Sequence, residues 1–409
     1  MDMTAAPSSD LLASALAILE KLISFDTTSR GSNLELIAWV EDYLAGHGVS
    51  ASRVANVPGE DGVKKANLFA TIGPDVPGGV ILSGHSDVVP VDGQPWTSDP
   101  WTVTPRAVEG PNGKEHRLYG RGTSDMKGFI AVALAAVPLF VKASKPVHLA
   151  ISYDEEVGCQ GAPAMITRMA ETIPPPLCAI IGEPSLMQPI SGHKGINVYE
   201  VIVTGKEAHS SLPHLGVSAT MVAVDLMAEL RELALTLEAN PPAGSGFVPP
   251  HATLTIGTIQ GGTASNILAR ECRFTFDLRC PPGVDAEEVL VPFRADIARA
   301  DAAIGAHCDT CGVTLTRMAN VPPLAPTEHN PAEALARNLS PAVKPGDNSP
   351  AGQVSYAAEA GQFQQAGFPT IICGPGSIEQ AHQPDEWIAV EQMAQGVVFM
   401  ERLAVELGA

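Results

Sequence analysis

Short, predominantly apolar runs separated by helix-length segments constrain this chain more than any other feature. Residues 67–72, 80–84, 147–153 and 179–182 are too short for helices and too apolar for loops, so they read as buried strands. Around them, 10–25 and 33–46 carry apolar residues at helical spacing, with Asp10 and Ser32 as N-caps. Residues 129–141 are apolar for long enough to form a buried helix. Strands alternating with helices predict an α/β sheet covered by helices on both faces.

From about Gly192 the pattern changes. Strands are expected at 196–204, 252–260, 272–278 and 313–318, with helices at 217–237 and 286–300. That β-α-β-β-α-β order is the ferredoxin-like arrangement of a small α+β domain. After Pro322 and Pro323 the α/β pattern returns, with a helix at 356–366, a strand at 370–373 and a last helix from Val390. The expected organisation is one sheet domain, 1–191 and 321–409, interrupted by an inserted domain, 192–320. Stretches 239–250 and 341–351 read as loops.

A chain of 409 residues, 45% hydrophobic and 17% charged, has globular composition and can bury two such cores. Its formal charge of −20, with no basic stripe, argues against nucleic acid or an anionic membrane as partner. No apolar run is long enough to span a bilayer, and no basic segment leads into an apolar one near residue 1. Seven scattered cysteines form no framework, so a reducing, cytoplasmic location is expected. Cys308 and Cys311 make a single CxxC, lack the second pair that would close a zinc site, and read as structural.

Titratable side chains gather where the apolar runs end. In Ser83-Gly84-His85-Ser86-Asp87, residues two apart along extended chain face the same way, so His85 and Asp87 share a pocket and Asp87 can orient the imidazole. Asp125 lies where the glycine-rich stretch Gly120-Arg121-Gly122 runs towards a helix. Asp154-Glu155-Glu156 closes one strand, Glu183 follows another, and His382 comes after the turn Gly374-Pro375-Gly376. Acids stacked at the ends of buried strands are costly unless cations or solvent compensate. Two histidines and three carboxylates match a pair of zinc ions sharing one Asp, although cobalt or manganese suits such N/O sites too.

These segments resemble the two-zinc metallopeptidase and amidohydrolase family, over nearly the whole chain. The resemblance implies a zinc-peptidase-like sheet with an inserted dimerisation or lid domain, hence a homodimer. It implies that His85, Asp125 and Glu183 hold one ion and Asp125, Glu156 and His382 the other, with Glu155 as general base and a cis peptide after Asp125. His209, in Gly205-Lys206-Glu207-Ala208-His209-Ser210-Ser211, would reach across the dimer to the substrate carbonyl. Asn266 and Arg279 match substrate-contacting positions, Arg279 by capturing an α-carboxylate. The runs Tyr356–Phe363 and Gly374–His382 look most like the family's amino-acid deacetylases, which implies a small N-acyl amino acid as substrate. Those members usually carry Thr where this chain has Ala358, and Glu359 beside it would pair with a cationic substrate side chain.

Overall fold

The computed structural model describes residues 7–59, 62–110 and 113–409. The chain divides into two compact units: one contains residues up to Gly192, Leu324–Gly352 and Ala358–Ala409, the other His193–Pro323 and Gln353–Ala357.

In the first unit the apolar runs become the middle of a sheet. Val80–His85 pairs in parallel with Val147–Ser152 on one side and Cys178–Pro184 on the other, and Thr370–Gly374 adds in parallel to Cys178–Pro184. Ala66–Ile72 and then Ala51–Ala55 extend the sheet antiparallel. Successive side chains serve opposite faces. Leu82, Leu149 and Ile180 enter one apolar core with the helices Ser9–Ile23, Leu34–Gly46, Lys127–Ala135, Pro331–Leu339 and Val390–Glu406. Ile81, Ala150, Ile181 and Ile372 enter a second core with Ala162–Thr172 and Ala360–Gln365. Because four strands run the same way, their C-terminal ends share one edge, where open α/β sheets build sites.

The second unit buries one face only. Gly195–Thr204 alternates buried and half-buried residues at the middle of a four-stranded antiparallel sheet. The order is Thr253–Gly261, Glu271–Cys280, Gly195–Thr204, Gly312–Val321, the ferredoxin-like one. Tyr199, Phe274, Phe276 and Leu278 pack there with Leu226 and Leu230 of the helix Ala219–Ala239 and with Phe293 of Val291–Gly305.

Several local expectations shift. The first two helices start after Ser8 and Asn33, neither of which caps through its side chain. Ser32 Oγ, as expected, accepts from Leu34 N–H at 3.3 Å, while Asp10 lies within its helix. Asn33 is held by bonds to Ala66 O and Ser86 Oγ, both 2.9 Å. Residues 356–366 contain helix only over Ala360–Gln365. A three-stranded sheet of Thr104–Gly110, Gly113–Tyr119 and Trp387–Ala389 was not anticipated.

Candidate metal centre

The parallel strands deliver the titratable groups to one place. His85 ends Val80–His85 and is 1% exposed. Its Nδ1 lies 2.8 Å from the backbone oxygen of Asp87 and 3.6 Å from that residue's carboxylate. The carbonyl, not the side chain expected, therefore holds the ring; with Nδ1–H donating, Nε2 keeps its lone pair for a metal. Nε2 faces Asp125 Oδ1 at 3.0 Å and Glu183 Oε1 at 4.0 Å. On the other side of Asp125, His382 Nε2 lies 3.6 Å from Oδ2 and 2.9 Å from Glu156 Oε2.

Two groups of ligand atoms result, His85–Asp125–Glu183 and Asp125–Glu156–His382, each spanning no more than 4.8 Å. Asp125 belongs to both, one carboxylate oxygen turned to each side.

The cluster crowds buried acids around one imidazole. Burial holds the Glu155 carboxyl well above its usual range, and Glu183, Glu156 and Asp125 reinforce it against the opposing charge of His85. Glu183 is likewise held well up by burial and by Asp125, and Glu156 is raised by the same two causes. Burial alone would lower His85; its hydrogen bond to Asp125 and the charges of Glu155, Asp125 and Glu183 outweigh that and hold it well above an ordinary imidazole. Glu183 Oε1 is buried with no hydrogen-bond partner among the described residues. Carboxylates this close are stable together when cations lie between them. The imidazole and carboxylate donor set suits zinc and its neighbours.

Side chains outside the two ligand groups hold the ligands in place. Glu386 is 1% exposed and spans the whole glycine-rich loop. Its carboxylate accepts from Gly122 N and Arg121 Nη1 at 2.9 Å, and from Ser124 N at 2.9 Å and Asp125 N at 3.0 Å. The Asp125–Met126 peptide that follows is cis. Asp87 accepts from Ser29 Oγ at 2.7 Å and from the backbone N–H groups of Glu155 (3.2 Å) and Glu156 (3.3 Å). It thus positions the acidic turn as well as flanking His85. No local sequence pattern announces either role, since the partners are backbone groups dozens to hundreds of residues away.

Glu359 lies deep in the first unit. It is 1% exposed, sits near Ser152, and has Oε1 without a partner among the described residues. Burial pushes its carboxyl up to about 7. Any pairing with a substrate ammonium group would be made from this enclosed position.

The remaining candidates belong to the second unit. His209 is exposed, and its Nδ1 accepts from Ser211 N–H at 3.2 Å with Ser211 Oγ at 2.7 Å. That leaves the proton on Nε2, as a donor facing away from the loop. Asn266 lies alongside: its carbonyl accepts from Ser210 N–H at 2.9 Å, and His209 pairs with Ile267. Arg279 donates from Nε to Asp277 at 2.8 Å, the ion pair that competes with a substrate-binding role.

Two ligand groups sharing one carboxylate, the first fully buried and the second opening to solvent at His382, with the Glu155 carboxyl beside them, define a metal-dependent hydrolase. The comparisons agree. The model of peptidase family M20/M25/M40 matches residues 81–406. An acetylornithine deacetylase from Myxococcus xanthus is 35% identical over 399 residues, 96% of this chain and 97% of that one. Another from Proteus mirabilis is 35% identical over 89% of this chain and 87% of its own. Human carnosine dipeptidase 1 shares the fold at a TM-score of 0.70 and 17% identity, covering 98% of this chain and 99% of the dipeptidase. A dinuclear metal-binding peptidase from Bacillus subtilis does so at a TM-score of 0.63 and 14% identity, over 98% and 99%. This chain belongs to peptidase family M20/M25/M40.

Proposed function

We propose that this protein hydrolyses the amide bond of N2-acetyl-L-ornithine to L-ornithine and acetate, as in arginine biosynthesis, with two zinc ions. The observation that carries the substrate is the likeness to acetylornithine deacetylases along almost the entire chain. The two ligand groups that share Asp125 support the chemistry.

His85, Asp125 and Glu183 would hold one ion, and Asp125, Glu156 and His382 the other. When bound, such a pair supplies Lewis acidity that polarises an amide carbonyl and makes water more acidic. Glu155 takes the proton from the attacking water and returns it to the departing amine, a task suited to a buried carboxyl of raised proton affinity. Asp87 keeps Glu155 and Glu156 in place through their backbone N–H groups. His209, protonated at Nε2, would stabilise negative charge on the carbonyl oxygen, acting from one copy of a homodimer on the site of the other. Asn266 and Arg279 would contact the substrate, Arg279 after exchanging Asp277 for the α-carboxylate.

No described helix is long and apolar enough to cross a membrane, and all seven cysteines are free, which supports a reducing cytoplasmic setting. A broader N-acyl amino acid deacylase, a desuccinylase or a dipeptidase is the second reading, favoured by Ala358 standing where related deacetylases carry a hydroxyl. Amine release from N-acetyl-L-ornithine, N-acetylmethionine, succinyl-diaminopimelate and a dipeptide separates the two. Clear preference for acetylornithine supports the first reading; turnover of only the others discards it while keeping the hydrolase.

A further inference from the structure

The CxxC of the second unit has no part in hydrolysis, and it differs from every other cysteine in the chain. Cys159, Cys178, Cys272, Cys280 and Cys373 are buried, whereas Cys308 and Cys311 reach the surface. The pair occupies the turn between the helix Val291–Gly305 and the strand Gly312–Val321. Cys311 N–H donates to Cys308 O at 3.0 Å, closing a four-residue turn. Such a turn brings its first and last Cα atoms within about 7 Å. Disulfides span Cα separations of roughly 4.4–6.8 Å, so the backbone is already near the geometry a bridge requires.

The side chains are arranged unequally. Cys308 Sγ lies 3.2 Å from Thr310 Oγ1, and hydrogen bonds from Cys311 and Thr310 pull its thiol down to about 7. Cys311 is pushed up to about 11 by burial and by its bond to Cys308. One sulfur is thus an accessible thiolate near neutral pH, and the other a protonated thiol beside it. Burial pushes the five remaining thiols up, well above that range. Among the described residues the metal-type clusters are those around Asp125, and none includes this pair, which separates it from a thiolate cation site.

We propose that Cys308 and Cys311 form a redox-active dithiol that reduces a low-molecular-weight disulfide and closes to an intramolecular disulfide. The Cys308 thiolate attacks one sulfur of R–S–S–R, forming a Cys308–S–S–R bond and expelling RS⁻. Cys311 gives its proton to the expelled thiolate, and its sulfur attacks the Cys308 sulfur. The mixed S–S bond breaks and the second RS⁻ leaves, protonated from solvent. Two electrons pass from the cysteine pair to the small disulfide, giving two small thiols and one Cys308–Cys311 bond. Reduced small thiols reverse it, as a reducing compartment would.

The test uses the full-length chain with its metals, equilibrated in mixtures of reduced and oxidised glutathione, then acid-quenched, alkylated and peptide-mapped. A Cys308–Cys311 disulfide should grow with the oxidised fraction, while the five buried cysteines are alkylated only after denaturation. In Cys311→Ser, glutathione should remain attached to Cys308. Alkylation of Cys308 at pH 7 supplies an independent readout. Lowering a thiol from its usual value near 8.5 to about 7 raises the thiolate fraction roughly 15-fold, and the accompanying loss of nucleophilicity leaves a net gain of about threefold. Cys311→Ala, which removes the hydrogen-bond donor, should forfeit most of that gain and move the pH midpoint upward. The proposal is overturned if both cysteines stay reduced in excess oxidised glutathione, or if the wild-type chain accumulates only the mixed disulfide.

Discussion

The two units bury a sheet in opposite ways, and their chemistry differs accordingly. In the first, Val80–His85, Val147–Ser152 and Cys178–Pro184 are buried along their whole length, so polar function is confined to where they end. The result is a fixed cluster: His85, Asp125 and Glu183 are nearly inaccessible, and backbone bonds to Glu386 and Asp87 hold the loops that carry Asp125, Glu155 and Glu156. In the second, Gly195–Thr204 packs one face and leaves the other half-buried. The groups of interest there, His209 and Asn266, lie on an exposed loop pair. Buried preorganised charge suits metal binding; exposed donors suit contacts completed only when substrate or a second copy arrives.

Substitutions can break this division of labour. The largest effect is expected from Glu155→Ala, which should lower turnover by about 10²–10⁴, the usual contribution of general acid–base catalysis, while two metal ions per chain remain. Metal analysis beside the rate decides it: loss of an ion would exchange the roles of Glu155 and Glu156. His209→Ala should cost about 10²–10³ in kcat with metal content intact, as removal of one oxyanion donor does. Mixing that variant with Glu155→Ala sharpens the test. If His209 works across a homodimer, mixed dimers contain one complete site and activity returns; if the mixture stays inactive, it works within its own chain or not at all.

Glu386→Gln should weaken metal binding by about 10–100-fold, the usual cost of a lost supporting contact, because a carboxamide cannot accept from both ends of the loop at once. Unchanged zinc affinity in a competition with a chromophoric chelator would remove Glu386 from the account. The smallest effect is an acid sensitivity unrelated to the metals. Burial lowers His148 to about 4, and its Nε2 has no partner among the described residues. Between about 6.5 and 4 the unfolded chain therefore binds the extra proton, so stability is full above that window and falls as pH drops through it. The slope per histidine is at most about 1.4 kcal/mol per pH unit. Urea midpoints measured from pH 7.5 to 5 should fall less steeply for His148→Gln than for the parent chain.

Much of the fold was legible because it rests on runs that carry their own signature. Continuous apolar stretches marked the parallel strands, and the switch near Gly192 to a β-α-β-β-α-β order marked a different kind of sheet. Several ligand candidates were legible because they close such a run: His85 is the last residue of its strand and Glu183 the penultimate one of its own. What escaped depends on distant partners. The strands Thr104–Gly110 and Gly113–Tyr119 are largely polar and pair mainly with each other and with Trp387–Ala389, so no apolar period reveals them. Glu386 carried no signal of its own, since its partners are N–H groups of a loop more than 260 residues earlier. The burial of Glu359 was hidden for the same reason: nothing in Ala358-Glu359-Ala360 shows that the surrounding elements enclose it.

The central claim is that the first unit holds two divalent ions through one shared carboxylate. Equilibrium dialysis of the metal-stripped chain against buffered zinc, with Asp125→Ala, His85→Ala and His382→Ala in parallel, tests it most directly. Two ions per chain are predicted for the parent, one for each histidine variant, and none held tightly by Asp125→Ala. A single tight ion in the parent, or retention of one tight ion by Asp125→Ala, would contradict it.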